Sequence, residues 1–131
     1  MTPVHRRLAA NVLMVDLDAE MRTVRAELAA GHGRIARTLV KEGPLRLTLV
    51  GLAPGGALHE HRTEAPITIQ LLEGEIVLEA NGESRTVTAG SLAALESNVP
   101  HAVRAPNGAF LLLTVAAQSP AGDQSRTAAP G

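Results

Sequence analysis

Between residues 34 and 117 the chain consists of short apolar runs separated by turn residues, and this pattern restricts the possible folds more than any other feature. The predicted strands cover residues 35–41, 45–52, 57–62, 67–73, 75–80, 83–88, 92–95, 101–105 and 109–117. Asn81-Gly82 lies between two alternating runs and predicts a two-residue hairpin. So many short strands, closely spaced, predict an all-β fold, either an antiparallel sandwich or a barrel.

One amphipathic helix is predicted before the strands, over residues 17–30. The apolar residues at helical spacing are Leu17, Met21, Val24 and Leu28. Gly31 can end this helix in the left-handed conformation. The 131 residues suit one domain. The predicted organisation is an N-terminal segment with the helix (1–33), a β-barrel domain (34–117) and a disordered tail (118–131).

Composition excludes several classes of function. The net charge of -1 offers no basic surface for nucleic acid or for an anionic membrane. The absence of Cys excludes disulfides, thiolate metal sites and cysteine nucleophiles, and Phe110, the one aromatic residue, cannot form a base-stacking platform. No apolar run reaches the roughly 20 residues of a membrane span, and no signal peptide is recognised. We therefore expect a cytoplasmic protein.

Three histidines are the strongest candidates for chemistry. His59 and His61 would point to the same face of a regular strand, and His101 begins another strand that could bring a third imidazole. Three imidazoles suit a borderline divalent metal ion. The alternatives are a solvated polar face or a pair of hydrogen-bonded core histidines. If Ile67 faces inward, so do Ile69 and Leu71, and the interior is then aliphatic with histidine at one end. Such an interior is either a pocket for a small molecule or a filled core without a cavity.

The spacing around these histidines resembles the two motifs of the cupin family. The first motif, which reads Gly, five residues, His-x-His, three or four residues, Glu, six residues, Gly, is matched by Pro54-Gly55, His59-x-His61 and Leu72-Glu73-Gly74-Glu75. The second is matched in spacing by Gly90, Glu96, Asn98, His101 and Ala105. The resemblance covers about residues 45–117, and all three histidines fall at family ligand positions. It implies a double-stranded β-helix, the cupin jelly-roll barrel.

The chain also departs from these motifs. Glu96-Ser97-Asn98 replaces Pro-x-Gly, although Asn98 tolerates the left-handed turn. Ala53 and Ala105 stand where the family has Gly and Asn. Ile67 occupies the position of the family's Glu ligand. Glu64, in a small loop insertion at 62–66, is either a substitute oxygen ligand or a solvated loop charge.

The resemblance implies that His59, His61 and His101 are both the metal ligands and the catalytic residues of a site for a divalent ion (Fe, Mn, Ni or Zn). Such a protein acts on or binds a small organic molecule, as a dioxygenase, isomerase or decarboxylase. Because the carboxylate is missing, an anionic, chelating molecule is favoured. The alternatives are a metal-free module that binds or senses a small molecule without turnover, and a structural role.

The resemblance to small cupins also implies a homodimer. His32 and Arg34 follow the helix in Gly31-His32-Gly33-Arg34 and belong either to a turn that ends the helix or to a functional site. Among the other polar candidates, sequence does not decide between the barrel mouth, a dimer face and solvent. These residues are Arg46, Arg62, Gln70 and Arg104.

Overall fold

One helix precedes eight strands in the computed structural model, which describes residues 12–117. The elements are α1 (Leu17–Ala29), β1 (Arg34–Glu42), β2 (Leu45–Leu52), β3 (Gly56–His61), β4 (Ile67–Ala80), β5 (Glu83–Thr88), β6 (Leu92–Leu95), β7 (His101–Ala105) and β8 (Ala109–Ala116). The predicted all-β class with one N-terminal helix is confirmed. The predicted disordered tail, 118–131, lies outside the described residues.

Helix α1 has sequence signals at both of its ends. The side chain of Asp16 accepts a hydrogen bond from the backbone N–H of Ala19 at 3.1 Å, as an N-cap does. Asp18 and Glu20 place negative charge in the first turn, where the helix dipole favours it. Gly31, at φ +114°, ends the helical path. The predicted helix is therefore confirmed, one residue shorter than expected.

The strands form two antiparallel sheets that share strand β4. Sheet A has the order β1-β2-β8-β4-β6, and sheet B has the order β5-β4-β7-β3. The prediction of separate strands at 67–73 and 75–80 was wrong, because they are the two halves of β4. Gly74, at φ +82°, lets this strand pass from one sheet to the other.

The turn between β4 and β5 is the hairpin that the sequence predicts. Ala80 pairs with Glu83, so the loop consists of two residues. Asn81 has φ +54° and Gly82 has φ +81°. Positive φ at both central residues is the condition for a type I′ turn, whose twist matches that of the flanking strands. The Asn-Gly prediction is confirmed.

Aliphatic side chains fill the space between the two sheets. Ile67, Ile69 and Leu71 are buried there, as the sequence predicts, together with Val103. A second apolar cluster lies on the outer face of sheet A, where α1 covers it; its buried members are Val24, Leu39, Val40, Leu49, Phe110 and Leu112. Sheet A is therefore apolar on both faces, and the helix is part of the folded domain.

Gly51 allows α1 to approach sheet A closely. A Cβ atom at this position would lie 2.6 Å from Cγ1 of Val24 and 3.1 Å from Cε2 of Phe110. We expect Gly51→Ala to lower the free energy of unfolding by about 2 kcal/mol, because the helix must shift to relieve the overpacking. Urea denaturation would measure the loss. Gly33→Ala, which has no atom within 4 Å of the new Cβ, is the control. An equal loss in both variants would contradict the packing explanation.

Candidate metal site and ligand cleft

His61 and His101 lie side by side on neighbouring strands of sheet B. His61 at the end of β3 pairs directly with His101 at the start of β7. Their ring centroids are 4.4 Å apart, and the ring planes are inclined by 58°. His101 is buried (3 % exposed), whereas His61 is exposed. The pair therefore has one imidazole in the interior and one at the surface.

Both rings make the same hydrogen bond to the backbone. Nδ1 of His61 lies 2.9 Å from the carbonyl oxygen of His59, and Nδ1 of His101 lies 2.9 Å from that of Val99. Because a carbonyl oxygen can only accept, Nδ1 must donate in each case. In the neutral form of each ring, Nε2 then carries the lone pair. Both histidines are thus held in the tautomer that presents Nε2 as a base or a ligand.

His59 lies next to a bulge in β3. Leu58 pairs with Val103 and His61 pairs with His101, so β3 has one more residue than β7 between these two pairs. This extra residue interrupts the strict alternation by which the sequence argument placed His59 and His61 on one face. No Gly or Pro in this part of β3 signals the bulge, which depends on the pairing with β7.

The structure places the remaining ligand candidates apart from the histidine pair. Ile67, at the family's carboxylate position, is buried at the start of β4 between Leu95 and Val115. Glu64 is exposed in the connection between β3 and β4. Within residues 12–117, no group of three or more His, Asp or Glu side chains lies close enough to hold a metal ion.

The turn before His101 adopts the backbone conformation expected from the sequence. Asn98, which replaces the family's Gly, has φ +64°. Its N–H donates a hydrogen bond to the carbonyl oxygen of Thr63 at 2.6 Å. This bond ties the loop before His101 to the loop that follows His61. The two histidines are therefore positioned by the pairing of β3 with β7 and by this hydrogen bond between the adjoining loops.

An open cleft of about 470 Å³ lies beside His61, between β1 and β3. These two strands are the end members of the strand order β1-β2-β8-β4-β7-β3, so within residues 12–117 each has an unpaired edge there. Ala36, Val50 and Leu58 give the cleft apolar walls, and Arg34, His59, Glu60 and His61 give it polar groups. Its size and its lining suit a small organic molecule.

Arg34 belongs to the inner face of sheet A. It pairs with Leu52, and Ala36 pairs with Val50; paired residues share a face, and both partners are in the core between the sheets. Its Nη1 reaches across the cleft to the carbonyl oxygen of Ala57 on β3, at 3.4 Å. The sequence left open whether Arg34 belongs to a turn that ends the helix or to a functional site. Arg34 and Ala36 are two residues apart on β1 and therefore share a face, and this spacing is the sequence signal for the position of Arg34.

Comparison with known protein families gives a decisive match. The sequence profile described as "Cupin domain" matches residues 48–115, which is more than half of the chain. The matched segment holds the histidine pair, the shared strand β4 and the turn at Asn98. This protein belongs to the cupin family. Its two sheets are the halves of a cupin jelly-roll barrel, as the motif resemblance implies.

Several solved structures share this cupin's fold. A conserved protein of unknown function from Streptococcus pyogenes is 24% identical, with 66% of this chain and 75% of that chain covered and a TM-score of 0.62. The cupin domain of an XRE family transcriptional regulator from Enterobacter cloacae is 19% identical, with 67% and 100% covered and a TM-score of 0.60.

An enzyme is also among these structures. Salicylate 1,2-dioxygenase from Pseudoaminobacter salicylatoxidans, solved with gentisate, is 17% identical, with 85% of this chain but 34% of that chain covered and a TM-score of 0.72. The cupin fold is therefore shared with both a dioxygenase and a domain of a regulator. A search of the curated proteins finds no match. Among residues 12–117, no helix is both long and apolar enough to span a membrane.

Proposed function

We propose that this cupin binds a divalent metal ion, one of Fe, Mn, Ni or Zn, through Nε2 of His61 and Nε2 of His101. His59 is the third ligand in this proposal. Such an ion would bind a small organic molecule, preferably an anionic and chelating one. His59, His61 and His101 are then the catalytic residues of a metal-dependent enzyme.

The matched hydrogen bonds of the two rings carry this proposal. Histidines that bind metal ions usually donate their other ring N–H to a backbone carbonyl or a carboxylate, which fixes the tautomer and the ring orientation. His61 and His101 both do so, through Nδ1 at 2.9 Å. The centroid distance of 4.4 Å is compatible with one ion shared by the two rings. A pair that served only packing would not need the same nitrogen held in both rings.

His59 is the ligand that must move. Its side chain is exposed and lines the cleft that His61 also lines, so a rotation about its side-chain bonds meets no packed core. The bulge adds local freedom to this part of β3. With Ile67 in place of the family's Glu, the site has no carboxylate from that position. Three neutral imidazoles leave the full charge of the ion available to an anionic ligand.

The ion would supply Lewis-acid chemistry to an oxygen of the bound molecule. The chain's own contribution is to hold the histidines in one tautomer and to offer an apolar wall beside them. The reaction classes in this proposal are dioxygenation, isomerisation and decarboxylation. A dioxygenase among the structural neighbours supports the first of these only as a class.

Metal binding by single-histidine variants tests the proposal. We expect His61→Ala to weaken the binding of Mn²⁺ or Zn²⁺ at least about hundredfold, because a ligand affects affinity more than the outer hydrogen-bond partners, which are worth up to about that factor. His59→Ala should weaken it as well. Titration calorimetry and metal analysis by mass spectrometry give the measurement. His32→Ala, at an exposed histidine outside the site, is the control. Equal metal uptake by all the variants would overturn the proposal.

A second candidate function is a metal-free module that binds or senses a small molecule without turnover. The placement of Ile67 in the core favours it, because the carboxylate position of the family cannot contribute a ligand here. The discriminating result is a thermal shift with small organic acids in the presence of a chelator but none with metal ions. The homodimer and the cytoplasmic location stay predictions.

A further inference from the structure

We propose that Arg34 is the anion anchor of the cleft between β1 and β3, and that the cleft binds a small monocarboxylate with an apolar body. This inference deepens the proposed function and rests on it in one respect: the ligand's other end lies at the histidine pair. The binding of the carboxylate itself does not require the metal ion.

The position of Arg34 is unusual for a charged residue. Its register with Leu52 puts it on the face of sheet A that forms the core between the sheets. It is the first residue of β1, and it is exposed although its register places it on the inner face. Because Arg34 lines the cleft, its positive charge can attract an anionic ligand that binds there.

Most of the hydrogen-bonding capacity of Arg34 is unused within the part of the chain that the structure describes. A guanidinium has five N–H donors in a planar fork that matches a carboxylate. In residues 12–117, Arg34 uses one donor, in the 3.4 Å contact with the carbonyl oxygen of Ala57. Among residues 12–117 it has no carboxylate within 4.0 Å, unlike Arg25 and Arg37, which are both paired with Glu side chains. Its remaining donors can therefore grip a ligand's carboxylate in the bidentate manner.

The other cleft groups set the orientation and the class of the ligand. Ala36, Val50 and Leu58 offer apolar contact, which a body of aliphatic or aromatic carbon would fill. Glu60 stands on the β3 side, where it also borders the outer groove that Glu79 and Ala102 line. Its charge repels a second carboxylate from that side. The cleft therefore favours a ligand with a single carboxylate, which Arg34 holds at β1.

Binding of benzoate compared with benzamide tests the proposal. The two have nearly the same shape, but only benzoate is charged. We expect the metal-free protein, kept in chelator, to bind benzoate in preference to benzamide. Arg34→Gln should weaken benzoate at least about tenfold and leave benzamide unchanged. Arg34→Lys should recover only part of the loss, because an ammonium group lacks the fork. Titrations followed by NMR measure the binding of both probes to the wild-type protein and to each variant.

Arg104→Gln is the matched control, since Arg104 is an exposed arginine of sheet B outside this cleft that also lacks an ion pair among residues 12–117. It removes the same charge and should leave the affinity for benzoate within about twofold, because screening weakens a distant surface charge. Equal losses in Arg34→Gln and Arg104→Gln, or no preference for benzoate in the wild-type protein, would overturn the inference. Arg34-dependent benzoate binding in a protein that takes up no metal would leave it intact and refute only the metal site.

Discussion

Gly74→Ala is expected to lower the free energy of unfolding by about 4 kcal/mol. Two costs combine at this position. Gly74 has φ +82°, a conformation that costs an L-residue about 1–2 kcal/mol. A Cβ atom there would also lie 2.5 Å from the carbonyl oxygen of Gly108 and 3.1 Å from Cα of Ala109. Because these are backbone atoms of β8 and its preceding turn, they cannot move aside as a side chain can, and overpacking adds about 1–3 kcal/mol.

Gly90→Ala separates these two costs. Gly90 has φ +92°, but its added Cβ would have no atom within 4 Å. We expect it to lose only the conformational part, about 1–2 kcal/mol. Urea denaturation of both variants gives the difference, which should be at least about 2 kcal/mol. If the two variants lose the same stability, the crossing of β4 from sheet to sheet does not depend on the close approach at Gly74.

Arg37→Ala is expected to cost about 3–5 kcal/mol. Arg37 lies on β1 beneath α1 and is 5 % exposed, although it carries a full charge. Its Nη2 lies 3.2 Å from both carboxylate oxygens of Glu27, and its Nε lies 3.7 Å from Glu20, which is also buried. Removing Arg37 leaves the buried carboxylate of Glu20 in a poorly solvated place, and this accounts for most of the expected loss, because the side chain of Glu27 is 41 % exposed and stays in contact with water.

Arg25→Ala is the control for this prediction. Arg25 also joins α1 to the sheets, through two hydrogen bonds of 3.0 and 3.1 Å to Glu73. These bonds raise the pKa of Arg25 above its ordinary value. Both side chains are about half exposed, at 54 % and 50 %, so water screens the pair, which contributes below about 1 kcal/mol. The guanidinium also lies 4.7 Å from the centroid of the Phe110 ring, which adds about 0.5–1 kcal/mol, so we expect a total loss of about 1–2 kcal/mol. Chemical denaturation compares the two variants. Similar losses in both would show that burial does not govern the strength of these ion pairs.

The strand boundaries follow closely from the sequence because turn residues mark them. Asn81-Gly82 specifies its hairpin locally, since both residues tolerate positive φ. Gly74 misled the prediction, because the same tolerance that makes glycine a turn residue also lets one long strand bend and continue. Local sequence cannot distinguish a glycine in a turn from a glycine in a bent strand. The strand continues here because the half of β4 before Gly74 pairs with β6 and β8 and the half after it pairs with β5 and β7.

The candidate site was only partly predictable, for a similar reason. That His61 and His101 lie together follows from family spacing and strand pairing. The bulge beside His59 arises from the register between β3 and β7, two strands that are some 40 residues apart in the chain. The residues of β3 near the bulge do not predict it. The proposed role of Arg34 was less predictable than its place on the inner face, because the cleft that it lines forms only where β1 and β3, the two ends of the strand order, lie side by side.

Because β4 pairs with β5, β6, β7 and β8, neither sheet can be completed without it. Sheet A also needs β2 to pair with β8, which joins Leu45 to Ala116 across almost the whole domain. Proteins dominated by such distant pairings pay the entropy of closing long loops before most contacts form, and they fold in milliseconds to seconds. Refolding of this small chain should therefore be slow for its length. Its rate should depend on how early β4 pairs with the last of its four neighbouring strands.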